Sequence, residues 1–173
     1  GKNTKIRIAT VGVGGMGSAH LTHITANPKA ELIAVCDIDA KRADDVAAKY
    51  GVKAYYDHTT MFASEKLDAV TIATPHYDHP GIAVDAFAHG LHVLSEKPIG
   101  VTVKAARAAV AAHAKAAEKS GLVYAIMFQE RTFPHYRKMK EMITNGELGR
   151  LMRTTWIATD WFRSQWYYDH GDW

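Results

Sequence analysis

The amino-acid sequence predicts an α/β fold with a doubly wound parallel sheet. Short apolar runs alternate with helical stretches through about residue 128, which is the pattern of successive βαβ units. Glycine, proline and helix-capping residues separate these stretches. A glycine-rich turn joins the first apolar run to the first helical stretch. Each of these features is typical of parallel strands connected by helices.

Six strands are expected, because six short apolar runs are bounded by turn residues. They cover residues 6–11, 31–36, 54–56, 69–73, 92–95 and 122–127. The longer helices between them are expected at 16–26, 40–50, 80–90 and 103–119.

Capping residues set the expected helix boundaries. Asp39 is placed to cap the second helix, and Gly51 follows its last residue. Thr59 or Thr60 is expected to cap a brief helical turn, and Thr102 to cap the long alanine-rich helix.

The turn after the first strand reads VGVGGMG over residues 11–17. It has the G-x-G-x-x-G spacing and lies between a strand and a helix, as in a Rossmann dinucleotide-binding domain. Gly12 would allow the tight turn, Gly14 the approach of a pyrophosphate, and Gly17 close packing of the helix. The alternative is a glycine-rich turn without a ligand. We predict that the cofactor phosphates bind the start of this helix, with Gly15 and Met16 also in contact.

Asp37 closes the second strand, twenty residues after Gly17. An acidic residue there accepts hydrogen bonds from the adenosine ribose hydroxyls and repels a 2′-phosphate. The sequence therefore favours NAD over NADP. Arg42, one helical turn further on, leaves NADP as the weaker alternative, since an arginine could meet a phosphate.

The composition excludes several classes of protein. Of the 173 residues, 47% are apolar and 23% charged, and no apolar run is long enough for a membrane span. The net charge of +3 comes from scattered basic residues, so no nucleic-acid partner is expected. The single cysteine, Cys36, fits a reducing compartment and hence a cytoplasmic protein. His20 and His23, like His76 and His79, lack the third ligand that zinc needs, so no metal is expected.

The pattern changes after the sixth strand. Residues 133–145 are amphipathic with a helical period, and residues 151–159 have the composition of a strand in a different sheet. We therefore expect a dinucleotide-binding domain over 1–128. Residues 129–173 would be a connecting helix and the truncated start of an α+β substrate and oligomerisation domain.

Two loops, together with the glycine turn, resemble the glucose–fructose oxidoreductase / inositol dehydrogenase / MocA family. Thr74-Pro-x-x-x-His79 follows the fourth strand, and Glu96-Lys97-Pro98 follows the fifth. The resemblance covers nearly the whole chain. It implies that Lys97 lies near the nicotinamide and the reacting hydroxyl as the catalytic residue. It also implies that Glu96 binds the nicotinamide ribose and that a cis peptide precedes Pro98.

The resemblance further implies which residues line the cofactor channel, namely Thr74, Pro75, His76 and His79. In the aromatic tail, Trp161 and Arg163 are the candidate substrate contacts, although a core stripe, a subunit interface or a surface salt bridge would also account for them. The family's catalytic pair, an Asp or Asn followed by a His, is not visible before residue 173. We therefore expect a cofactor-binding fragment that is inactive by itself.

The expected activity is hydride transfer between a secondary alcohol of a sugar, inositol or related polyol and NAD, in a full-length protein that forms a homo-oligomer. One alternative is a relative that oxidises its substrate transiently for glycoside cleavage, elimination or epimerisation. The other is a non-catalytic NAD-binding module.

Overall fold

The structure, a computed structural model, describes residues 5–159 and 162–169, without the side chain of residue 119. It divides into two compact units, the first ending at Met127 and the second beginning at Phe128. The first contains a parallel sheet of six strands: β1 (Ile6–Val11), β2 (Ala30–Cys36), β3 (Lys53–Tyr55), β4 (Ala69–Ile72), β5 (His92–Ser95) and β6 (Tyr124–Ile126). Their order across the sheet is β3-β2-β1-β4-β5-β6, and every neighbouring pair is parallel. This is the doubly wound order of a Rossmann fold, which confirms the predicted fold class.

The strands are connected by five helices: α1 (Gly15–Ala26), α2 (Ala40–Tyr50), α3 (His58–Ser64), α4 (His79–Ala88) and α5 (Val103–Ser120). They cover both faces of the sheet. On β2, Val35 packs in one hydrophobic cluster with Leu21 of α1 and Ala47 of α2. Its neighbour Cys36 packs in another, with Ala83 of α4. Successive strand residues point to opposite faces, so the two clusters are the two halves of the core.

Two central strands share a buried polar contact. Thr10 of β1 and Thr71 of β4 are register partners, and their hydroxyl oxygens are 2.8 Å apart. Both side chains are buried, so each hydroxyl is satisfied inside the sheet.

The helix caps differ from the prediction at one place. Asp39 and Thr102 cap α2 and α5 as expected, but α3 is capped by Asp57 instead of Thr59 or Thr60. The Asp57 carboxylate accepts hydrogen bonds from both threonine hydroxyls and from the Thr60 N–H. These bonds hold the pKa of Asp57 well below its usual range.

The second unit contains a 3₁₀ turn at Gln129–Thr132, α6 (Pro134–Thr144) and the short helix α7 (Gln165–Asp169). Helix α6 confirms the amphipathic helix expected at 133–145. The strand expected at 151–159 was wrong, because this segment has no regular secondary structure. A strand needs hydrogen-bonding partners, and the described part of this unit contains no other strand to supply them.

Candidate cofactor site

The predicted cofactor-binding segments lie at one edge of the sheet. Val11, at the end of β1, is in register with Cys36 of β2 and Ile72 of β4, and Ile72 is in register with Ser95 of β5. The four strands therefore end side by side. The segments that follow them contain the glycine turn, Asp37, the loop of residues 74–79 and the loop of residues 96–98. In doubly wound sheets, ligands bind at this carboxyl edge.

Two glycines of the turn are required by the protein itself. Gly12 has a φ of +81°, and a Cβ there would lie 2.7 Å from the backbone of Ala73 and Thr74. A Cβ on Gly17 would lie 1.9 Å from the carbonyl oxygen of Gly12. A larger residue at either position would push α1 away from the strand ends, so these two glycines have the structural roles predicted for them.

The start of α1 is open. A Cβ on Gly14 or Gly15 would have no heavy atom within 4 Å. No side chain caps this helix, and its first turn has no acidic residue, whereas side-chain oxygens cap α2, α3 and α5. The first N–H groups of a helix lack intrahelical partners and attract anions. The start of α1 therefore has open space beside Gly14 and Gly15, with the half-exposed Met16 next in sequence.

Asp37 is almost fully buried at the end of β2, and its carboxylate supports the glycine turn. It accepts hydrogen bonds from the N–H of Val13 at 3.0 Å and of Asp39 at 3.0 Å. Arg42 donates to both oxygens from the solvent side, at 3.2 and 3.3 Å, and also pairs with Asp39. Arg42 thus neutralises two carboxylates, and its side chain remains half exposed.

The loop after β4 is held by His79, which is completely buried. Its Nε2 lies 2.8 Å from the carbonyl oxygen of Thr74, and its Nδ1 lies 2.8 Å from that of Pro98. A doubly protonated ring can donate to both oxygens, whereas a neutral ring can donate to only one. His79 therefore lies between the loop after β4 and the loop after β5, and it bonds one or both of them according to its protonation.

The other predicted residues of this loop differ in exposure. Pro75 is exposed and His76 is partly buried. Burial, with a contribution from His79 and Lys97, lowers the pKa of His76. The buried hydroxyl of Thr74 has no hydrogen-bond partner in the described part of the chain. Buried hydroxyls normally have a hydrogen-bond partner, so a ligand bound beside the strand ends would supply the one that Thr74 lacks.

In the loop after β5, a buried carboxylate precedes an exposed lysine. Glu96 is 4% exposed, and one of its oxygens lies 2.9 Å from Nε2 of His20 on α1. Its other oxygen accepts from the N–H of Lys97 at 3.3 Å. Lys97 itself is exposed, and the Lys97–Pro98 peptide is cis, which confirms the feature that the resemblance implied.

His20 was not predicted to be part of this site. From the sequence, His20 was a candidate only for a metal pair with His23, but His20 is buried and His23 is exposed. A helical period could have indicated the difference, because His20 lies one turn after Gly17 on the same helix. Its partner Glu96 is 76 residues away in sequence, and only the sheet topology brings the two together.

The candidate substrate residues belong to the second unit. The Arg163 guanidinium carbon lies 4.4 Å from the ring centre of Tyr167, and both side chains are in that unit. Trp161 lies outside the described residues.

Over the described ranges, no three His, Cys, Asp or Glu side chains converge as metal ligands would. None of the described helices combines the length and apolar character of a bilayer-spanning segment.

Comparison with known proteins identifies the family. Residues 6–127 match the model of the Gfo/Idh/MocA oxidoreductase family, described as having an NAD-binding Rossmann fold. The inositol 2-dehydrogenase of Rubrobacter xylanophilus is 31% identical over 150 residues, covering 86% of this chain and 42% of that protein.

Two solved structures carry a bound cofactor. Scyllo-inositol dehydrogenase from Lactobacillus casei, with NAD(H) and scyllo-inositol, is 30% identical with a TM-score of 0.78, over 84% of this chain and 43% of that one. WlbA dehydrogenase from Bordetella pertussis, with NADH and UDP-GlcNAcA, is 29% identical with a TM-score of 0.77, over 84% and 44%. The chain spans less than half the length of each of these three proteins. It belongs to the Gfo/Idh/MocA family of oxidoreductases, and its first unit is that family's NAD-binding Rossmann fold.

Proposed function

We propose that this chain binds NAD along the carboxyl edge of its sheet and contributes the cofactor half of a polyol or sugar dehydrogenase. The observation that carries the proposal is the alignment of the open start of α1, the Asp37 carboxylate and the exposed Lys97 at the ends of adjacent strands. Across the sheet, Asp37 follows β2, the start of α1 follows β1 and Lys97 follows β5. This order matches the order of adenosine ribose, pyrophosphate and nicotinamide in a dinucleotide.

At the adenosine end of the cofactor, Asp37 would discriminate between NAD and NADP. Two of the contacts to its carboxylate come from the half-exposed Arg42, and these are the contacts that ribose hydroxyls would replace. A 2′-phosphate would instead meet Asp37 and Asp39, and Arg42 already pairs with both of them. The arrangement therefore favours NAD over NADP.

The nicotinamide end would be served by the loop after β5. Bound NAD would accept a hydride from a secondary alcohol carbon. Lys97 Nζ would bind the reacting oxygen and take part in moving its hydroxyl proton. Within the described residues Nζ has no ion-pair or hydrogen-bond partner, so the ammonium is available to a substrate.

The proposed substrate class is based on the names and the bound ligand of the similar proteins. The names of two of them specify inositols, and the bound ligand of the third is a nucleotide sugar. A sugar, inositol or related polyol is thus our proposal for the complete enzyme. Residues 129–173 would connect to its substrate domain, with Trp161 and Arg163 as substrate contacts. The homo-oligomer and the cytoplasmic location also remain predictions.

Fluorescence titration of the 173-residue chain with NADH and NADPH tests the cofactor proposal. We expect NADH to bind at least tenfold more tightly, and Asp37→Asn to reduce that preference by about tenfold, because the carboxylate no longer repels the 2′-phosphate. Asp45→Asn is the matched control, since Asp45 is an exposed acid on α2 paired with Lys41. Equal affinities in the unmodified chain would refute the role of Asp37, and absence of NADH binding would refute the cofactor site.

Turnover distinguishes the proposed reaction from its alternatives. With NAD and a panel of inositols and sugars, we expect no NADH formation by the 173-residue chain alone. The complete enzyme should form NADH, and Lys97→Met in it should lower kcat by at least a hundredfold. Tightly retained NAD without net NADH would favour transient oxidation. Binding of NAD by the complete protein without reaction of any substrate would favour the non-catalytic module.

A further inference from the structure

Lys97 lies between two residues that buried histidines hold from different helices. On its amino side, Glu96 contacts His20 of α1 at 2.9 Å. On its carboxyl side, the carbonyl of Pro98 contacts His79 of α4 at 2.8 Å. The exposed lysine is therefore part of a short segment whose neighbours on both sides are anchored in the interior.

The contact on the amino side is well protected from water. The side chains of His20 and Glu96 are only 8% and 5% exposed. The Glu96 carboxylate also accepts from the N–H of Lys97, so the same group joins α1 to the main chain of the lysine. Loss of the imidazole would leave a carboxylate oxygen buried without its partner, and this is costly in a protein interior.

The contact on the carboxyl side connects to a second cofactor loop. His79 also contacts the carbonyl of Thr74, so one ring spans the loops after β4 and β5. Since His79 is completely buried, neither contact is readily replaced by water.

We propose that His20 and His79 are positioning residues that hold the main chain on both sides of Lys97, and that His20 links this segment to the helix that receives the cofactor pyrophosphate. His20 lies one turn after Gly17, on the helix whose open N-terminus is the proposed phosphate site. Neither histidine needs to contact the cofactor. This inference rests on the proposed NAD site, and it assigns a function to two residues that act through Glu96 and Pro98.

The proposal predicts an effect confined to one half of the cofactor. Displacement of Glu96 and Lys97 would affect the nicotinamide and its ribose, whereas the glycine turn and Asp37 would still bind the ADP portion. The ratio of the affinities for NADH and ADP-ribose isolates the nicotinamide contribution. General damage to the fold would weaken the binding of both ligands to the same extent and leave this ratio unchanged.

The experiment measures Kd for NADH and for ADP-ribose by calorimetry on the 173-residue chain. We expect His20→Phe to raise the Kd for NADH about tenfold, which is the scale of one lost buried hydrogen bond. The Kd for ADP-ribose should change by less than about threefold. His20→Gln can still donate to Glu96 and should restore NADH affinity to within about threefold of the unmodified chain. His79→Phe should give the same selective loss. His23→Phe is the matched control, because His23 is exposed on the same helix.

Several outcomes would overturn the inference. Equal weakening of both ligands by His20→Phe would make the residue merely structural, and unchanged NADH affinity would remove its role. If His20→Phe does not fold, Glu96→Ala replaces it, and unchanged NADH affinity in that variant would likewise refute the linkage. If the unmodified chain binds ADP-ribose and NADH equally, the nicotinamide end is not engaged and the inference fails, while the ADP part of the NAD site stands. If it binds neither ligand, the proposed function itself fails.

Discussion

Replacing Gly17 with alanine is the sharpest test of how the glycine turn is built. The added Cβ would lie 1.9 Å from the Gly12 carbonyl oxygen, whereas Cβ atoms essentially never come within 3.0 Å of such an atom. Helix α1 would therefore have to move by about 1 Å. Helix propensity alone favours alanine by about 1 kcal/mol, but overpacking typically costs about 1–3 kcal/mol and occasionally more.

Because the contact is with backbone, which cannot rotate away, we expect the cost to exceed the gain by about 2 kcal/mol. For a chain of this size, that lowers Tm by about 4–8 °C. The displaced helix would also weaken NADH binding. Thermal unfolding followed by circular dichroism measures the first effect, and a fluorescence titration measures the second.

Gly14→Ala provides the matched comparison. Its Cβ would project into open space, so Tm should stay within about 2 °C of the unmodified chain. The same atom would occupy the space proposed for the pyrophosphate, and Kd for NADH should rise about tenfold. A Gly17→Ala chain that melts at or above the original temperature would refute the packing argument. A Gly14→Ala chain that binds NADH normally would refute the phosphate site.

Three further measurements test other parts of the structure. Burial, with Asp57 and Asp37 nearby, raises the pKa of the Cys36 thiol to about 12. Alkylation of Cys36 by iodoacetamide at pH 8 should therefore be about a thousandfold slower in the folded than in the unfolded chain, and equal rates would contradict its burial. The Arg7 guanidinium lowers the pKa of Asp68 to about 2, so this pair should stabilise the fold above pH ~4 and lose its effect as the pH falls to ~2. Since both groups are partly exposed, the free energies of unfolding in urea of the unmodified chain and Arg7→Gln should differ by less than about 1 kcal/mol at pH 6 and converge as the pH falls to ~2. Thr102→Ala removes the oxygen that accepts from the Ala105 N–H and should cost about 1 kcal/mol in chemical denaturation, and no change would refute the cap.

The parts of the fold that depend on local signals could be predicted. The glycine turn and the Asp39 and Thr102 caps are set by residues within a few positions of each other. Where several local signals compete, the sequence was not decisive. Asp57, Thr59 and Thr60 can all cap a helix, and in the structure the Asp57 carboxylate accepts from the Thr60 N–H and from both threonine hydroxyls.

Features that depend on distant partners could not be predicted in the same way. Residues 151–159 have the composition of a strand, but a strand exists only with a neighbour. The contact between His20 and Glu96 depends on how α1 lies beside the end of β5. The family resemblance indicated the importance of Glu96 and Lys97, but nothing near them in sequence identified the two histidines that hold their segment.

The paired hydroxyls of Thr10 and Thr71 have a consequence for how the chain avoids misalignment. Apolar side chains along parallel strands fit many sliding positions almost equally well, since one valine resembles another. A slip between β1 and β4 would separate the two hydroxyls and leave both buried without partners, at a cost of about 1–3 kcal/mol each. A chain with valine at both positions could be as stable as the original, yet it would lose this means of rejecting a wrongly aligned sheet.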